Sequence, residues 1–212
     1  ESRQNRTGID WTIHSTLKPD FIGAKTLNNF PLEDLVPYID WSPFFHAWEM
    51  RGRYPAILDD AIVGSKAREL FEDAQKQLKD IILNRRFTAR AVYGFFPAVS
   101  TGDDIVVYQD ADRSKALTTF HTLRQQIHKP DGQFNHALAD FIAPQESGVE
   151  DYIGMFAVTT GHGADEHASE FLKDHDDYSS IMAKALADRL AEAFAECLHK
   201  RVRNEWGYGK KE

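Results

Sequence analysis

The chain has 212 residues and 24.2 kDa, with 42% apolar and 12% aromatic residues. That is enough apolar surface to bury a sizeable core, and it excludes the disordered and fibrous classes. Acids outnumber bases by 33 to 25, a net charge of −8 with a pI near 5.6, which argues against a protein that tracks phosphate backbones. The single cysteine, Cys197, allows neither an internal disulfide nor a CxxC metal site. No apolar run approaches the roughly 18 residues of a membrane span, and the polar N-terminus has no signal-peptide core. These features predict a soluble, cytoplasmic, single-domain protein without membrane or nucleic-acid partners.

Residues 1–8 read as a polar lead-in or linker, and residues 9–212 as the domain. Pro19, Pro31 and Pro37, mixed with Trp11, Phe21, Phe30 and Tyr38, predict irregular structure packed over a core across residues 9–40, with at most short strands or helical turns. Ser42-Pro43 is a helix start, with serine as the cap and proline at the first helical position. That helix is expected to run through Phe44, Phe45 and Trp48 until Gly52. A second helix is expected over 59–83, where Val63, Ala67, Leu70, Phe71, Ala74, Leu78, Ile81 and Ile82 share one face.

The period then changes. Residues 91–96 and 105–108 are β-rich runs separated by Gly102-Asp103-Asp104, which predicts a hairpin. Further strands are expected over 116–123, 138–143 and 152–159, with 144–148 as a loop. A short helix is expected over 165–173. The last element is the clearest: Met182, Leu186, Leu190, Phe194, Cys197, Leu198 and Val202 form one stripe on a helix from about Asp177 to Trp206, roughly 45 Å long. Helices, a block of strands and a long final helix predict an α+β fold with an antiparallel sheet.

Short motifs for chemistry are weak. Thr160-Gly161-His162-Gly163 follows a strand but lacks GxGxxG spacing and a Walker lysine, so it reads as an ordinary turn. His162, His167 and His175 lie among acids, yet no HEXXH is present, and a solvated acidic loop is the simpler reading. Cys197 sits on the apolar stripe and is placed in the core. Asp188, Glu192 and Glu196 recur at four-residue spacing on the polar face of the last helix. Glu192 lies about 200° around that helix from Leu190 and does not belong to the core. Asp40, two residues before Ser42, favours the positive end of a helix.

The stretch Tyr38-Ile39-Asp40-Trp41-Ser42-Pro43-Phe44-Phe45, with Gly52-Arg53-Tyr54-Pro55, resembles the activation domain of cobalamin-dependent methionine synthase. So do Gly94-Phe95-Phe96-Pro97-Ala98, Gly102-Asp103-Asp104-Ile105 and Leu123-Arg124-Gln125-Gln126. Asp140-Phe141-Ile142-Ala143-Pro144, Asp151-Tyr152-Ile153-Gly154, His175-Asp176-Asp177-Tyr178, residues 185–193 and Trp206-Gly207-Tyr208 continue the series in order.

The resemblance implies a bent antiparallel sheet flanked by helices, with a long C-terminal helix, and a domain that binds S-adenosylmethionine. It implies the reactivation role: a methyl group from S-adenosylmethionine and an electron from flavodoxin or a flavoprotein reductase restore methylcobalamin from cob(II)alamin. The domain positions the donor, a proximity effect, while the corrin cobalt carries the chemistry. Asp40 and Glu192 match residues that contact S-adenosylmethionine; no catalytic or metal-ligating residue is implied. The cobalamin-binding Asp-x-His-x-x-Gly motif is absent, so cobalamin is expected on a partner module of the same enzyme. The family's Arg-x-x-Pro-Gly-Tyr-Pro motif is also absent, so the domain is expected to be truncated at its C-terminal end. Its S-adenosylmethionine binding is then incomplete, and the chain alone is not expected to be active. The competing reading is a non-catalytic docking or regulatory domain for a corrinoid protein, without S-adenosylmethionine use.

Overall fold

Apolar repeats at helical spacing and alternating β-rich runs settle most of the architecture in the computed structural model, which describes residues 2–209. In chain order, the strands are β1 (Gly23–Phe30), β2 (Thr88–Thr101), β3 (Asp104–Tyr108), β4 (Ala116–His121) and β5 (Asp151–His162). The helices are α1 (Ser42–Ala47), α2 (Gly64–Leu83), α3 (Ala164–Lys173) and α4 (Asp177–Trp206). The five strands form one sheet in the order β1-β2-β3-β4, with β5 also pairing with β2. The β2–β3 hairpin is antiparallel, with Thr101 opposite Asp104, and β4 pairs antiparallel with β3. The α+β expectation therefore holds, including the long final helix.

Two compact units share the chain. One holds the described residues up to Lys25, Tyr93–Phe156 and those from Arg201 onward; the other holds Thr26–Val92 and Ala157–Lys200.

In the first unit, Ala98, Ile105, Val107 and Ala139 are buried, with Phe96, Ile142, Ile153 and Met155 packed on them. Gly154 is needed for close approach, because a Cβ there would come within 2.9 Å of the Trp206 ring. The polar lead-in is tied down in this unit: Arg3 pairs with Asp103 at 3.1 Å, and Asn5 donates to the Asn135 side chain at 3.0 Å.

In the second unit, α4 buries Met182, Leu186, Leu190, Phe194 and Leu198 as the stripe predicts. Cys197 is a correction: it is half-buried rather than in the core, because it sits at the margin of that stripe. Phe30 lies against Phe194 with centroids 4.7 Å apart, and Trp41, Phe44, Phe45 and Phe71 form an edge-to-face cluster. Thr160 is fully buried and donates its hydroxyl to the Ala187 carbonyl at 2.9 Å.

Other differences from expectation have local causes. Helix α1 stops at Ala47 rather than near Gly52, because Glu49 is left-handed at φ 59° and its amide closes on the His46 carbonyl. Helix α2 starts at Gly64, since residues 56–59 form a 3-10 turn and Asp60 Oδ1 accepts the amides of Ile62 and Val63. Residues 138–141 are a 3-10 turn, not a strand: the Asp140 carboxylate accepts the Ala137 amide and binds Arg124. Thr160-Gly161-His162 continues β5, and the turn falls on Gly163 alone. There φ is +93°, and a Cβ would collide with the Arg86 carbonyl oxygen.

Candidate functional site

The site is built where α1 begins. The Ser-Pro signal predicts Ser42 as the cap, but Ser42 is already in the helix behind Trp41: the Asp40 Oδ1 accepts the Ser42 amide at 2.9 Å, and the Ser42 hydroxyl oxygen accepts the Tyr54 amide at 3.1 Å. An aspartate two residues ahead of the amide it accepts is an Asx turn, which leaves the second carboxylate oxygen for a ligand. Asp40 is exposed and makes no other hydrogen bond or ion pair among the described residues.

Glu192 is also exposed, on the face of α4 that carries Asp188 and Glu196. It too makes no hydrogen bond or ion pair among the described residues. Both acids belong to the same unit. A groove of about 270 Å³ separates their two helices, with Pro43, Phe44 and Ala47 on one wall and Lys184, Asp188 and Arg189 on the other. Neither Asp40 nor Glu192 lines it directly. Asp40 precedes α1 by two residues, and Glu192 lies one turn past Asp188 along α4. In the sequence Asp188 has the signature of a solvated acid, and Lys184 and Arg189 carry no signal, because long polar side chains on an amphipathic helix have no local mark of a groove.

The remaining candidates resolve into structure. His162 is exposed at the end of β5, and His175 is left-handed just past α3. His167 is 5% exposed between Phe87 and Phe171, with centroids at 6.0 and 4.9 Å. Most of the region is helix α3, as the short helix expected over 165–173 has it, and no group of three metal-ligating side chains occurs among the described residues. The Tyr178 hydroxyl donates to Asp73 Oδ2 at 3.2 Å; burial, then the Asp73 charge, pushes that phenol up to about 12.

In the first unit, Arg124 gathers three of the resembling segments. Its Nη2 lies 2.7 Å from Asp103 Oδ1 and 2.6 Å from Asp140 Oδ1, while Nη1 donates to the Asn135 carbonyl at 2.6 Å. The Arg124 side chain is 1% exposed. Burial alone would raise Asp140, but hydrogen bonds from Arg124 and the Ala137 amide outweigh it and hold the carboxyl below the usual range. Asp103 is lowered in the same way. With its donors engaged by carboxylates and a carbonyl, this cluster fixes the fold and leaves little for a substrate.

A five-stranded antiparallel sheet with a thirty-residue final helix defines an α+β domain, and the groove between α1 and α4 is lined by both apolar and charged side chains. Residues 31–212 match the family described as vitamin B12 dependent methionine synthase, activation domain. The chain belongs to that family. It is also similar to a solved structure described as the MetH reactivation domain bound to AdoHcy, at 46% identity and a TM-score of 0.95. That match covers 100% of this chain and 65% of the solved one.

Proposed function

We propose that this domain positions S-adenosylmethionine for the reductive methylation that returns cob(II)alamin to methylcobalamin in a methionine synthase. The observation that carries the reading is the likeness, over the whole chain, to a reactivation domain solved with AdoHcy. AdoHcy is what S-adenosylmethionine becomes on losing its methyl group, so a pocket that holds one is shaped for the other.

The residues fit such a ligand. S-adenosylmethionine carries an ammonium and a sulfonium, and carboxylates free of internal partners offset both. Asp40 supplies one such carboxylate, oriented by the Ser42 amide, and Glu192 supplies the second. Pro43 and Ala47 add apolar surface to the groove between α1 and α4. The protein's part is orientation: it holds the donor methyl toward its acceptor. Cobalamin on a partner module would supply the cobalt chemistry, with flavodoxin or a flavoprotein reductase as the electron source.

The test is transfer of a labelled methyl group from S-adenosylmethionine to cobalamin under reducing conditions, in an enzyme carrying Asp40→Asn. We expect slower reactivation with methyl transfer from folate nearly unchanged. Equal loss in both reactions would assign Asp40 to folding instead.

A further inference from the structure

Between the end of β1 and the end of α2, the second unit carries a cleft of about 580 Å³, apart from the groove assigned above. That volume is in the range of small-molecule sites, roughly 300–1,000 Å³. Its floor is apolar: Leu32, Phe87 and Ala89 are buried, and Phe30 is half-buried beside them. Its lining also includes three exposed polar residues, Asn29, Glu33 and Arg85. None of these three side chains makes a hydrogen bond or ion pair among the described residues.

Arg85 occupies a position that helices usually give to glycine. Its φ is +49°, its amide closes on the Ile82 carbonyl, and the next amide, that of Arg86, reaches back to the Ile81 carbonyl. That is a Schellman ending, in which a side chain costs stability relative to glycine. The chain nevertheless carries a guanidinium there.

An unpaired cation and an unpaired anion over an apolar floor complement a zwitterion with an apolar body. A guanidinium binds a carboxylate through two parallel hydrogen bonds. A carboxylate such as Glu33 attracts an ammonium, and the Asn29 amide can bond to either end. The floor takes a hydrocarbon side chain out of water. We propose that this cleft binds a free α-amino acid with an apolar side chain, at a site separate from that of S-adenosylmethionine.

The experiment is a titration of the 212-residue chain with L-leucine and L-methionine, followed by backbone amide NMR shifts. We expect saturable shifts confined to residues 29–33 and 82–89. N-acetyl-L-leucine, which lacks the ammonium, and L-leucine methyl ester, which lacks the carboxylate, should each bind at least tenfold more weakly. Arg85→Gly is the informative variant, because glycine suits the left-handed position: its melting temperature should not fall, yet its affinity for L-leucine should drop at least tenfold. Glu33→Gln should weaken L-leucine while leaving the weak binding of N-acetyl-L-leucine, which has no ammonium for Glu33 to attract, less affected. The proposal fails if no saturable shift appears up to about 20 mM, well beyond a millimolar dissociation constant. It fails equally if the blocked derivatives bind as well as L-leucine, or if Arg85→Gly folds and binds unchanged.

Discussion

Arg124 and Asp140, sixteen residues apart in the chain, meet in a bidentate ion pair, with Nη1 2.7 Å from Oδ2 and Nη2 2.6 Å from Oδ1. Asp103 closes the cluster from the hairpin turn. The pair holds residues 138–141 in a 3-10 turn and pins the loop that follows β4.

Removing one partner of such a pair strands buried charge. Arg124→Ala should therefore destabilise the protein by about 3–5 kcal/mol. Arg124→Lys should recover only part of that, since an ammonium cannot span two carboxylates with a planar fork. Urea unfolding checks both. A loss under about 1 kcal/mol for the alanine variant would mark the cluster as a surface-type pair.

The same carboxyls set an acid limb. Asp103 and Asp140 titrate below the ordinary value of 3.8 in the folded state. A depressed folded value means that the unfolded chain binds protons first, so stability is full above the ordinary value. It is lost as pH falls through the depressed one. Stability measured by urea unfolding should decline below about pH 4, and Asp140→Asn should show a shallower decline there. An unchanged slope in that variant would contradict the assignment.

Gly163 tests the turn that ends β5. Its φ of +93° and the nearby Arg86 carbonyl leave no room for a side chain. Gly163→Ala should cost about 2–4 kcal/mol. Gly161→Ala, where the nearest atom to a new Cβ is 3.9 Å away, should cost far less on steric grounds. Similar thermal shifts in the two would remove the distinction between them.

What the sequence discloses follows the range of the forces involved. Helices α2, α3 and α4 are legible because a 3.6-residue repeat continues over many turns, and the end of α2 and both ends of α4 fall where that repeat places them. The β2–β3 hairpin is legible because its turn residues are local. Residues 138–143 mislead because Leu138, Phe141 and Ile142 look like a buried strand, whereas contacts from Arg124 decide their conformation. The end of α1 is hidden because a glutamate, not a glycine, takes the left-handed position. Nothing in the pattern marks Asp40 and Glu192 as candidate site residues: an exposed acid has the same sequence signature whether it faces water or a ligand. Only the family resemblance selects them.

Direct binding is therefore the sharpest test of S-adenosylmethionine recognition. Asp40→Asn keeps an oxygen for the Ser42 amide and removes only the charge, while Glu192→Gln alters an exposed side chain outside the core. Both should fold with stability within about 0.5 kcal/mol of the parent. Calorimetric titration with S-adenosylmethionine should show each variant's dissociation constant raised about tenfold, equivalent to 1.4 kcal/mol. Two folded variants that bind S-adenosylmethionine as tightly as the parent would contradict the assignment of these carboxylates to its site.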